Sequence, residues 1–144
     1  MANSRRDQKH LGIDTNALVA YLDSEHPQHD RTRNLKYRRI ALNPSVIHEA
    51  YHTLVFKIKW TGEEASDVLK DIMTDEDNLF INQSFQTTIA GLNIAIEYHL
   101  GGRDALIAAN FIAGKIRECR TFDEKLLELK KVRQGRSVIS FAPP

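Results

Sequence analysis

The sequence predicts an α/β fold, with a central parallel sheet of about five short strands and helices on both faces. Two observations predict it. Short apolar runs such as Leu11-Gly12-Ile13, Ile40-Ala41-Leu42 and Leu79-Phe80-Ile81 alternate with longer stretches whose apolar residues recur at helical spacing, the pattern of βαβ units. Two of the expected strand–helix junctions also end in an aspartate, Asp14 and Asp123. In a parallel sheet the C-terminal ends of strands share one edge, where open α/β folds hold their ligands.

The elements follow in order. Residues 10–13 form the first strand and 15–22 the first helix. His26-Pro27 breaks that helix, and Pro27 suits the first turn of a second, basic helix to about residue 38. Residues 40–42 are a brief strand closed by Asn43-Pro44. Ser45 is the expected N-cap of a helix reaching about Trp60, with Val46, Ile47, Ala50, Tyr51, Leu54 and Ile58 on its apolar stripe. After Thr61-Gly62, residues 63–73 are helical. Residues 79–81 make a strand and 84–100 a long helix. Gly101-Gly102 then opens a helix from Arg103 to about Gly114, apolar nearly all round except at Asn110 and therefore expected deep in the core. Residues 117–122 read as a strand, 123–131 as a helix and 137–141 as the last strand.

At 144 residues the chain is expected to form one domain over 1–144, with residues 1–9 a flexible tail. A hydrophobic share of 42%, a charged share of 27% and a net charge of +1 are those of an ordinary soluble globular protein. They do not mark the whole chain as a partner for nucleic acid or membrane, although Arg5-Arg6, 31–39 and 130–136 are basic clusters. One cysteine, Cys119, excludes an intramolecular disulfide and a multi-cysteine zinc site. No apolar run approaches the ~20 residues of a membrane span, and the first ten residues are too polar for a signal-peptide core. The expected location is the cytoplasm.

Four carboxylates deserve weighing one by one. Asp14, Asp104 and Asp123 all stand at or near helix N-termini, where an acid is favoured by capping and by the macrodipole whatever its function. Glu49 lies at the flank of its helix's apolar stripe, where a surface glutamate needs no special role. Together they make a different case. Converging carboxylates repel and hold protons unless a cation neutralises them. Oxygen-only ligands suit Mg²⁺ or Mn²⁺, and such a centre can activate a water against a phosphodiester.

Ile13-Asp14-Thr15-Asn16, Val46-Ile47-His48-Glu49, the run from Arg103-Asp104 to Ala108-Ala109, and Thr121-Phe122-Asp123 resemble, in order and spacing, the four signature segments of PIN-domain nucleases. The resemblance covers about residues 10–141, and the length is similar to that of VapC-type toxins of toxin–antitoxin pairs. It implies Mg²⁺- or Mn²⁺-dependent endonucleolytic cleavage of RNA, leaving a 5′-phosphate and a 3′-hydroxyl. It also implies Asp14, Glu49, Asp104 and Asp123 as the acidic metal-binding set, with Asn16 and Thr121 in support. The expected partners are an RNA substrate, a small antitoxin and a second copy in a homodimer. An aromatic residue is common three positions after the last aspartate of the pattern, and Leu126 stands there instead. Arg103, Arg120 and Lys125, near the acids in sequence, are candidates for gripping the RNA backbone.

Two other readings stay open. A PIN-like module that has lost catalysis would serve as an RNA-binding or scaffold domain. His48-Glu49-Ala50-Tyr51-His52 also spells H-E-x-x-H on a helix, the pattern of a zinc peptidase. That reading leaves Asp14, Asp104 and Asp123 unexplained and finds no third histidine at the usual downstream spacing.

Overall fold

The computed structural model describes residues 8–144, so most of the expected N-terminal tail, with Arg5-Arg6, lies outside the described residues. Six strands form one sheet in the order β3-β2-β1-β4-β6-β5. They are β1 (Leu11–Ile13), β2 (Ile40–Leu42), β3 (Leu79–Phe80), β4 (Glu118–Arg120), β5 (Lys131–Gln134) and β6 (Ser137–Ala142). All neighbouring pairs are parallel except β5–β6, an antiparallel hairpin. Six α-helices flank the sheet: α1 (Thr15–Leu22), α2 (Pro44–His52), α3 (Gly62–Thr74), α4 (Phe85–Tyr98), α5 (Gly102–Ala113) and α6 (Glu124–Leu129). No helix among the described residues is long and apolar enough to cross a membrane.

The sheet has one strand more than expected, and the reason is local. Residues 130–131 were expected to end the α6 helix. Instead Lys130 adopts a positive φ of 71° and stops it at Leu129, and the chain turns directly into β5. Only Val132 of that strand is buried, between basic and polar neighbours. An edge strand that must not pair with other chains is commonly dressed in such charges. Gly135, at φ 61°, takes the first position of the two-residue turn into β6, where a left-handed backbone favours glycine.

Other boundaries differ for equally local reasons. Asn43, not Ser45, caps α2: its side chain accepts a hydrogen bond from the Val46 amide at 2.9 Å, and Pro44 occupies the first helical position, where its missing N–H costs nothing. The basic stretch His29–Tyr37 is a 3₁₀-helix rather than an α-helix. The helix expected to run unbroken to Trp60 changes at Thr53 into a π-helical turn, Thr53–Lys57, closed by the Ile58 amide donating to the Thr53 carbonyl at 3.0 Å.

The core lies on the central strands. β1, flanked by β2 and β4, is fully buried, and Phe111 of α5 is the largest side chain shut off from solvent. A Cβ at Gly12 would come within 3.0 Å of the Phe111 ring, so glycine lets α5 seat against β1. Ile107–Ile112 of α5 are all buried. Asn110, the one polar residue in that run, is accommodated because its amide nitrogen donates to the Ile81 and Asn82 carbonyls and to Gln83 Oε1. Cys119 is buried in β4, and its thiol is pushed well up by burial, as befits a small apolar core residue.

Candidate active site

The sheet's topology decides which residues meet. From β1 the chain proceeds through α1 to β2 on one side, while β4 lies on the other. The C-terminal ends of β1 and β4 therefore bound the switch point where such sheets open a crevice. Gly12 pairs with Cys119 and Ile13 with Arg120, which sets Asp14 beside Thr121.

Asp14 is 6% exposed. Its Oδ1 accepts the Thr15 amide at 2.8 Å, and its Oδ2 accepts the Thr121 hydroxyl at 2.7 Å. Burial pushes its pKa up. The bonds from Thr121 and Thr15 oppose that shift, and the nearby Glu49 and Asp123 carboxylates add to it. Thr121 is itself buried, and its hydroxyl oxygen accepts the Asp123 amide at 2.9 Å. Asn16 bridges the two junctions: its Oδ1 accepts the Phe122 amide at 3.1 Å and lies 3.5 Å from the Thr121 hydroxyl.

The other acids arrive from different elements. Asp123 caps α6, its Oδ1 accepting the Leu126 amide at 3.0 Å. Asp104 stands in the first turn of α5, whose N-cap is Gly101 and offers no side chain. Burial raises the Asp104 pKa, with Asp14 and Asp123 adding to the shift and Arg103 and Lys125 opposing it. Glu49, on α2, accepts the Thr15 hydroxyl at 2.8 Å through Oε2 and pairs with Arg103 Nε at 3.0 Å through Oε1. The guanidinium does not aim an N–H along that contact. The buried Oε1 is thus ion-paired but left without a hydrogen bond.

Asp14, Glu49, Asp104 and Asp123 line one cleft of about 570 Å³, together with Thr15, Asn16, His26, His48, His52, Thr53, Lys57 and Arg103. They share the cavity without closing on one point: among the described residues no three His, Cys, Asp or Glu side chains lie close enough to hold a metal ion as they stand. The chemistry of the set still fits a hard cation. The donors are oxygens, two of the acids are held away from their ordinary ionisation by burial and mutual repulsion, and Glu49 Oε1 is a buried acceptor with no donor.

Two candidates for gripping RNA are not among the residues that line the cleft, although Lys125 is near enough to act on Asp104. Arg120 donates to the Pro143 carbonyl at 3.1 Å and lies 3.7 Å from Glu118, while Lys125 donates to the His99 carbonyl at 2.6 Å. Neither lines the cleft. His48 and His52 do line it. Glu49 between them is engaged by Thr15 and Arg103 rather than poised as a base over a histidine-held metal. The contact of Thr15 with Glu49 and the presence of Thr53 and Lys57 in the cleft had no signal in the sequence, because each depends on how α2 is wound or how closely it packs on α1.

A buried acid at a parallel-sheet switch point, facing three further carboxylates, defines a protein of the acid-cleft α/β class. The PIN domain family model matches residues 12–132, and the chain belongs to that family, which is one of nucleases. No curated protein matches the chain. Solved structures share its fold. The Mycobacterium tuberculosis toxin VapC20, described as cleaving the sarcin–ricin loop, aligns with a TM-score of 0.67 at 15% identity over 79% of this chain and 90% of its own. VapBC2 from Rickettsia felis, bound to a DNA fragment of its promoter, aligns at 0.60 and 20% identity over 84% and 92%. DNA-bound VapBC from Salmonella typhimurium aligns at 0.63 and 14% identity over 93% and 97%.

Proposed function

We propose that this chain is a single-domain, Mg²⁺- or Mn²⁺-dependent endoribonuclease acting as the toxin of a toxin–antitoxin pair. The observation that carries the reading is Asp14, a buried acid with a raised pKa that faces Glu49, Asp104 and Asp123 across one cleft. PIN-domain nucleases generally use divalent ions, and these four acids are the residues that would hold one. When bound, the ion supplies charge neutralisation at the scissile phosphate and lowers the pKa of a water. The protein's own side chains do the rest. Thr121 and the Thr15 amide fix both oxygens of Asp14, so the acid cannot rotate away from the cleft. Thr15 orients Glu49, and Asn16 holds the β4–α6 junction against α1. Arg103 sits at the rim over Glu49, 73% exposed and able to turn towards an incoming phosphate.

Partners follow from the same reading. The VapBC likenesses support a small antitoxin as partner. A second copy fits α4, where Phe85, Ile89, Leu92 and Ile96 are 45–76% exposed at heptad spacing and Glu97 is the helix's only charge. A nearly uncharged apolar seam is suited to meeting its own copy across a two-fold axis. Ile96→Lys should convert a dimer to a monomer in light scattering while the circular dichroism spectrum keeps its folded shape, with the melting temperature lowered by the loss of association. A wild-type protein that is monomeric at micromolar concentration overturns the pairing.

The central test is cleavage of labelled single-stranded RNA by purified protein with Mn²⁺ or Mg²⁺, with EDTA, and by Asp14→Asn prepared identically. Metal-dependent cleavage that the variant lacks is expected. Equal cleavage by the variant overturns the assignment.

A further inference from the structure

We propose that the wall built by α2 and its π-helical turn, carrying His48, His52, Thr53 and Lys57, is the track that binds the phosphate backbone of single-stranded RNA beside the acids. The proposal rests on the nuclease reading and adds where the substrate strand runs. A polyanion entering a cleft with four carboxylates meets repulsion, so cationic or donor groups must stand beside them. Arg120 and Lys125, near the acids in sequence, are engaged by main-chain carbonyls, which leaves Arg103, ion-paired with Glu49 at the rim, as one exposed cation beside the acids. On the α2 wall the donors are open. Among the described residues His48, His52 and Lys57 make no hydrogen bond or ion pair, and the only ring contact is His52 against Phe56, with centroids 5.1 Å apart.

The π turn supports the same assignment. Along an unbroken α-helix, Lys57 would stand about 140° round the axis from His52 and about 40° from Thr53, beside the hydroxyl but well apart from the imidazole. A turn closed by an i+5→i hydrogen bond holds about one residue more than an α-turn. The Ile58-to-Thr53 bond makes such a turn, and Lys57 comes to line the cleft with Thr53, His52 and His48. Trp60 donates its amide to the Leu54 carbonyl at 2.9 Å, which fastens the end of the turn. Buried Leu54 anchors the segment from below. The wall thus offers an exposed lysine, two imidazoles and a hydroxyl in the same cleft as Glu49. That chemistry suits sequence-independent contact with successive phosphates.

The experiment uses the full chain carrying Asp14→Asn, so that RNA is bound without being cut. Binding of fluorescein-labelled oligouridylate is followed by anisotropy across a series of KCl concentrations. Lys57→Gln combined with His52→Gln should weaken binding about tenfold at low salt and flatten the slope of log K against log salt by roughly 0.7 or more. Lys57→Arg with His52 retained should restore both. Lys70→Gln, on α3 away from the cleft, should change neither. If the parent binds and the double variant keeps its affinity and slope, the track is overturned while the nuclease reading stands. If the parent binds no RNA at all, both fall.

Discussion

The β1–α1 and β4–α6 junctions look alike in sequence, each a short strand, an aspartate and a helix, yet the two acids are held differently. Asp123 is an ordinary N-cap: one oxygen accepts the amide three residues on, and the side chain is half-buried at the cleft rim. Asp14 is buried, and its capping bond goes only to the adjacent Thr15 amide, while its second oxygen is tied across the sheet to Thr121. A helix cap gains little from being buried against another strand's hydroxyl. The difference shows that helix stabilisation accounts for Asp123 in large part and for Asp14 only in small part. Thr121 links the two, donating to one acid and accepting from the amide of the other.

The largest effect should separate the two acids in catalysis. On the proposed reading, Asp14→Asn should reduce RNA cleavage by at least ~10²-fold, because a bound ion would lose its most buried ligand. Asp123→Asn should cost about tenfold, since a rim ligand is more easily replaced by water. The Asp14 variant should still fold. Its Nδ2 can donate to the Thr121 oxygen while the Thr121 hydroxyl turns to Asn16 Oδ1, 3.5 Å away, and asparagine caps as well as aspartate. Equal losses at the two positions, measured as kcat/KM on one oligonucleotide, would break the comparison.

Next in size is Thr121→Val, which keeps the shape and removes the shared hydroxyl. Asp14 Oδ2 and the Asp123 amide would both lose a partner, a cost of about 1–3 kcal/mol, read as a lower urea midpoint. The pH dependence carries a definite sign. Burial raises the folded-state pKa values of Asp14 and Asp104 above their unfolded values. Between the unfolded and folded pKa values the native state binds more protons, so stability falls as pH rises through that window. In EDTA the melting temperature should therefore decline from acid towards neutral pH through these two groups. Asp14→Asn should flatten the decline, and Mg²⁺ should reverse it for the wild type. A wild-type profile rising with pH and indifferent to Asp14→Asn would remove the strain attributed to the acids.

How far the sequence reveals this site depends on what fixes each feature. The strand–acid–helix order along the chain is local, so β1, β2 and α5 are legible from spacing, whereas the four acids each read locally as caps or surface groups and stand out as a set only through the resemblance to PIN-domain nucleases. The β5 strand is not, because three of its four residues are polar or basic and only Val132 faces the core. The π turn is equally hidden: Thr53–Lys57 reads as the continuation of an amphipathic helix, and only the hydrogen-bond register shows the change. The same limit explains Arg120 and Lys125. Their place in the chain suggests the acid rim, but their donors are captured by the Pro143 and His99 carbonyls, contacts set by tertiary packing. Thr15, which orients Glu49, is visible only once α1 and α2 are packed together.

The smallest expected effect returns to Asp123 and isolates its capping from its charge. Asp123→Ala removes the acceptor for the Leu126 amide and should cost about 1 kcal/mol, whereas Asp123→Asn should be nearly neutral for stability. The cost should be felt because α6 has six residues and buries Leu126, so fraying its first turn loosens a core contact. Urea unfolding of the two variants in EDTA measures the cap without the ion. If alanine and asparagine destabilise equally, it is the carboxylate charge at this junction, near the α6 N-terminus, that stabilises the fold. If neither destabilises, the cap contributes little, and Asp123 comes closer to Asp14 in kind, an acid retained for the cleft alone.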